Sequence, residues 1–241
     1  MKRKTQFALC GVWLACVFLW LGTQPPEVEA FPQPSQNIIP PRRIYNLELA
    51  DGVNQGMRDF WQKPDEVLNR LGDLEGKHIA DIGAGQGYFT LRLLSRIGPK
   101  GMIYANDIQE KVLERLRTKV PDEYRENISF VLGNEQSTGL TEPVDWILLV
   151  QVLAEVEHQK EFLQSLKTIM RPSTRLLVID SKHITDSNTG YTRPINLKRL
   201  EQAFAEQGLV FAPEYPVETL QFLPKQFFFV LMMDPADSGN G

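Results

Sequence analysis

The chain has 241 residues, 42% of them hydrophobic and 23% charged, with a net charge of −4. That balance fits a globular domain with one sizeable core, and the even spread of Lys and Arg along the chain excludes a nucleic-acid footprint. Both cysteines, Cys10 and Cys16, fall near the start, so the rest of the chain has no thiol nucleophile, disulfide or cysteine metal site. The histidines His78, His158 and His183 stand at no metal-ligand spacing, and no metal is expected.

In chain order, residues 1–30 read as a targeting segment. "MKRK" is a basic start, the run from Phe7 to Gly22 is uncharged and strongly apolar, and "VEA" (Val28 to Ala30) offers a small-residue cleavage site. A signal peptide and a retained membrane anchor are both open readings, since the apolar run is shorter than the roughly 20 residues of a comfortable span. The expectation is an exported or membrane-anchored chain that associates with membrane through its N-terminus, a cytoplasmic location being the alternative. Residues 31–41 form a Pro-rich, stiff linker without a core pattern. Residues 42–234 are expected to be one domain and 235–241 a tail.

From about Asn54 apolar runs alternate with helix-period segments. "PDEVLNRLG" predicts a helix with Pro in its first turn and Gly past its end. "KHIADIG" predicts the first strand, and "GYFTLRLLSRIG" a helix that stops at Gly98-Pro99. "GMIYAND" is a second strand, followed by a helix over "QEKVLERLRTKV". "NISFVLG" and "VDWILLV" are strands three and four, "QKEFLQSLKTIM" a helix, "RLLVID" strand five and "NLKRLEQAFAEQG" a helix. "LVFAPEY" and "KQFFFVLMM" close the chain as an antiparallel hairpin at one edge. Strands that are apolar throughout and separated by helices predict an α/β fold: a single doubly wound, mostly parallel seven-stranded sheet covered on both faces.

In such sheets ligands sit beyond the carboxyl ends of the strands. The first strand-to-helix turn must let backbone approach the ligand, and Gly83, Gly85 and Gly87 occupy that turn. The spacing is D-x-G-x-G-x-G from Asp81. A dinucleotide fingerprint wants its last glycine where Tyr88 stands, and no tyrosine has a lysine four residues on, so an NAD-dependent oxidoreductase is the weaker reading. Asp107 closes strand two, where a carboxylate can accept both hydroxyls of a ribose; as an N-cap for the next helix it has a second, compatible role.

These motifs, with "ISFVLGNEQSTGL", "VDWILLVQVLAEVEH" and "FLQSLKTIMRPSTRLLVID", resemble the class I S-adenosylmethionine-dependent methyltransferases in order and spacing over Phe60 to Asp180. "RDFWQKPDEVLNRLG" looks like the lead-in of a bacterial subgroup. The resemblance implies S-adenosyl-L-methionine as cofactor. Asp81 and the backbone of Gly83, Ala84, Gly85 and Gly87 would surround its methionine part. Asp107 would hold the ribose and Ile108 the adenine, with Asn134 and Glu135 near the adenine edge and Gln151 at the methionine end. The chain departs from the pattern in "GNEQS" after strand three, in Leu153 and Ala154 after strand four, and in "PST" before strand five. A catalytically degenerate cofactor-binding domain is therefore an alternative to an active enzyme.

Methyl transfer is an in-line displacement for which the protein mainly positions the nucleophile and excludes water. A base is needed only for a protonated acceptor. His183, three residues beyond strand five, and Glu155 are the candidate catalytic groups, with His158 behind them and His78 at the wrong edge. "GVNQGMRDFW" (Gly52 to Trp61) is a candidate lid. The expected partner is a small-molecule or other methyl acceptor of unread identity, with no nucleic acid.

Overall fold

The computed structural model describes residue 38 and residues 55–185, 192–216 and 222–236. The expected targeting segment, most of the linker and the end of the tail lie outside the described residues. Two short helices lead in. Helix α1 (Gln55–Gln62) meets α2 (Pro64–Arg70) at Lys63, whose left-handed backbone turns the chain before the proline starts the next helix.

The sheet follows as β1 (His78–Ile82), β2 (Met102–Asp107), β3 (Ile128–Leu132), β4 (Val144–Val150) and β5 (Met170–Ser181). Between them lie α3 (Thr90–Leu94), α4 (Glu110–Lys119) and α5 (Gln159–Lys167). A small antiparallel pair, β6 (His183–Thr185) and β7 (Thr192–Pro194), precedes α6 (Leu197–Ala205), β8 (Leu209–Phe211) and β9 (Gln226–Met233). The seven-stranded sheet runs β3-β2-β1-β4-β5-β9-β8; the first five strands are parallel, and β9 is antiparallel to both its neighbours.

Residues alternate between two cores, which is why the central strands read as unbroken apolar runs. Leu148, Leu177, Phe228 and Val230 pack on one face with Val67 and Leu68 of α2, Leu93 and Leu94 of α3 and Leu116 of α4. Ile147, Leu176, Phe227 and Phe229 pack on the other with Phe162 and Leu166 of α5 and Phe204 of α6. Ile38, from the expected linker, is half-buried against this second core, so that stretch does contribute a core contact.

Several boundaries differ from expectation for local reasons. Regular helix after β1 begins only at Thr90, because the residues before it are spent on the glycine turn. The helix expected through Met170 ends at Lys167, and Met170 pairs with Val144. "PST" forms an irregularity inside β5, where the Thr174 hydroxyl donates to Val144 O and accepts from Arg171 N. The hairpin β6–β7 was not foreseen; it is too short to carry a strand pattern. Among the described residues no helix is long and apolar enough to cross a membrane.

Candidate active site

The carboxyl ends of β1, β2 and β4 bring the sequence-derived residues to one rim. Gly83, Gly85 and Gly87 all have positive φ (66°, 55° and 86°), a conformation open to glycine at little cost. Their surroundings differ. A Cβ on Gly83 would lie 2.4 Å from Val152 Cγ2, and one on Gly87 would lie 2.2 Å from Leu116 Cδ1. A Cβ on Gly85 would find nothing nearer than 3.9 Å. Two of the glycines thus serve packing within the chain, and Gly85 is the one that faces open space.

Asp107 braces this turn. Its Oδ2 accepts the Gly85 N–H and its Oδ1 the Gln109 N–H, both at 3.0 Å, so the carboxylate organises the glycine loop and the entry to α4 together. The N-cap position of α4 belongs to Gln109, which corrects the capping role considered for Asp107. Burial pushes the Asp107 carboxyl up, while the backbone N–H groups of Gln109, Gly85 and Ile108 hold it down. Beside it Ile108 and Leu132 are 48% and 51% exposed, two large apolar side chains left open at adjacent strand ends. Leu132 was not singled out from sequence; a terminal strand residue carries no signal of its exposure.

Asp81 is buried and accepts a hydrogen bond from the Thr90 hydroxyl at 2.6 Å. Burial raises its carboxyl to about 6; the Thr90 hydroxyl and the Arg58 guanidinium act against that rise. Arg58 belongs to α1, so the stretch read as a candidate lid does carry a charge that acts on the rim. Helix α1 is fastened there by Tyr88, the residue that replaces a dinucleotide binder's glycine. The Arg58 and Arg92 guanidiniums lie 3.8 and 4.4 Å from its ring centroid, and its hydroxyl donates to Asp59, which also pairs with Arg92. Tyr88→Phe should leave the core intact but lower stability by about 1 kcal/mol, read from the urea midpoint. Faster amide exchange should be confined to α1; uniform exchange would show that the hydroxyl does not hold the helix.

The remaining residues are spread along the rim. Asn134 is exposed, and its Oδ1 accepts from the N–H groups of Gln136 and Ser137, shaping the loop after β3. Buried Asn106 fastens that loop through Val131 O and Thr138 O. Glu135 is exposed beside Glu157 and His158 from the turn after β4, with one donor atom of each within 4.8 Å of the others. Gln151 follows the end of β4 at φ +60° and donates its N–H to Ile179 O; a non-glycine residue held in this conformation stores about 1–3 kcal/mol, which the packed ladder around it must supply. Ala84 is buried in the turn, its N–H on Asn106 O. Glu155 lies half-buried in the 3₁₀ turn Leu153–Glu155, while Asp180 is fully buried and accepts the Ala154 N–H that fixes this turn. His183 is exposed at the start of β6, paired with Pro194. His158 stands exposed at the N-cap of α5, and His78 sits at the amino end of β1 against Tyr104.

Residues 73–211 match the model of a family described as a methyltransferase domain. The chain belongs to this family. Within it, the methyltransferase domain is 27% identical over 128 residues to the demethylmenaquinone methyltransferase of Lactococcus lactis, covering 53% of this chain and 50% of that one. It is 25% identical over 171 residues to a ubiquinone/menaquinone biosynthesis C-methyltransferase of Pseudomonas entomophila, covering 70% and 61%. The chain thus spans about half to three-fifths of the length of these curated relatives. Its fold is that of a SAM dependent methyltransferase from Aquifex aeolicus, with a TM-score of 0.65, 22% identity, and coverage of 78% of this chain and 99% of that one.

Proposed function

We propose that the protein transfers a methyl group from S-adenosylmethionine to a small-molecule acceptor. The observation that carries this reading is the braced glycine turn: Gly85 opens to space, Asp107 stands at the end of β2, and exposed Ile108 and Leu132 flank it. A ribose, a flat apolar base and an amino-acid tail fit a carboxylate, two open apolar side chains and a bare backbone turn in that order. When bound, the cofactor supplies a methyl carbon already activated by the sulfonium charge. Asp107 would accept from the ribose hydroxyls, Ile108 and Leu132 would cover the base, and Asp81 and the turn backbone would hold the tail, with Gln151 at its methionine end and Asn134 and Glu135 toward its adenine edge. His183 and Glu155 are the rim groups proposed to take a proton from the acceptor.

Calorimetry of the purified chain with S-adenosylmethionine, beside NAD, tests the ligand. Binding of NAD alone would sink this reading, and cofactor binding without turnover on any acceptor would favour the degenerate alternative. The relatives are named for quinone biosynthesis, so a reduced naphthoquinone is the first acceptor to try. His183→Ala and Glu155→Gln, with His78→Ala as control, should lower turnover at unchanged cofactor affinity. Equal rates in all three would remove both residues from the mechanism.

Residues 1–30 are proposed to direct the chain to or across a membrane, supported by the basic start and the apolar run from Phe7 to Gly22. A fusion of residues 1–41 to a reporter should leave the soluble cytosol; a wholly cytosolic reporter would refute this.

A further inference from the structure

Gln62 of α1 and Gln226 of β9 lie 164 residues apart in sequence and meet at the sheet's carboxyl rim. Gln226 pairs with Ser181, the last residue of β5, and alternation puts its side chain on the face of Phe228 and Val230. By the same alternation Asp81 shares that face with Ile79. The Gln62 Nε2 donates to Gln226 Oε1 at 3.3 Å, and Gln62 Oε1 accepts from Arg58 Nε. Gln226 is 2% exposed, and its Nε2 has no hydrogen-bond partner among the described residues.

The orientation of both amides follows from Arg58. A guanidinium only donates, so it must face the oxygen of Gln62. That turns the Gln62 nitrogen toward Gln226, which must answer with its oxygen. Flipping either amide would set donor against donor. The Gln226 N–H₂ is therefore pointed away from the relay, and a buried donor without a partner is retained at a loss unless something else uses it. The relay begins at a cation and ends at this donor, so the group it suits is an oxygen, neutral or anionic, and not an ammonium.

We propose that Gln226 Nε2 recognises an oxygen of the methyl acceptor, holding a phenol- or quinol-type compound at the β5–β9 side of the site. The inference rests on the transferase reading above. The relay from Arg58 through Gln62 sets the donor's direction.

The test uses the full chain saturated with S-adenosylhomocysteine and 1,4-dihydroxynaphthalene under reducing conditions as the probe. Wild type should bind the probe. Gln226→Leu, which keeps bulk and removes the donor, should bind it about tenfold more weakly. Gln226→Glu, which replaces the donor by an acceptor, should bind it at least as weakly. Both variants should bind S-adenosylhomocysteine like wild type, which also reports that they fold. Equal probe binding in all three proteins, or none by wild type, overturns the proposal. Failure of wild type to bind S-adenosylhomocysteine overturns the transferase reading as well.

Discussion

Gly85→Val and Asp107→Ala should each lower affinity for S-adenosylhomocysteine by roughly ten- to a hundredfold, measured by calorimetry on folded protein. At Gly85 the space is empty, so the loss does not come from a clash within the chain. It comes from a Cβ standing where ligand must approach; the branched side chain at φ +55° also carries about 1–2 kcal/mol of backbone strain, which lowers the stability of the fold. At Asp107 two losses combine. A charge-assisted hydrogen bond to ligand is worth about 1.5–3 kcal/mol, and removing the carboxylate also releases the Gly85 and Gln109 N–H groups that shape the turn. Asp107→Asn keeps one side-chain oxygen and should fall between wild type and Asp107→Ala. Wild-type affinity in both Gly85→Val and Asp107→Ala would mean that the ligand site lies elsewhere.

The second large effect is on pH. Burial raises the Asp81 carboxyl from its ordinary 3.8 to about 6. The folded chain thus holds this proton more tightly than the unfolded chain does. The stability it contributes is fully present below about 3.8 and is lost as pH rises through about 6, up to about 3 kcal/mol in the ligand-free protein. Ligand binding has the opposite sign, because an amino-acid ammonium favours the ionised carboxylate. Affinity should therefore be flat above about pH 6 and fall up to tenfold per unit below it. Thr90→Val removes the hydroxyl that favours the charged form, so its inflection should move to higher pH. Asp81→Asn should bind weakly with no inflection in this range. An inflection that survives in Asp81→Asn would assign the titration to another group.

The fold was legible because both faces of the central strands are buried. "VDWILLV" could only be a doubly covered strand, and β4 spans Val144–Val150. The glycine turn and Asp107 were legible because their spacing is local. The differing duties of the three glycines were not, since they depend on Val152 and Leu116, which arrive from the turn after β4 and from α4. Arg58, Gln62, Thr90 and Gln226 were missed for a similar reason. Thr90 reads as an ordinary helix start, and the Gln62–Gln226 contact spans 164 residues, beyond any periodic pattern. Tyr88 was noticed only as the absence of a glycine, although its ring and hydroxyl fasten α1 to the rim.

The antiparallel entry of β9 has a practical consequence for handling the molecule. Because β9 starts beside Ser181 at the sheet's carboxyl rim, it ends at Met233 on the opposite edge, next to Leu209. Helix α1 lies on that carboxyl rim, through Gln62 on Gln226 and Arg58 on the Tyr88 ring. A sensor chip, bead or fusion partner attached beyond residue 236 leaves from the far side and keeps the mouth open to solution. The same attachment placed just ahead of Gln55 would crowd the entrance and make a sound binding site look closed.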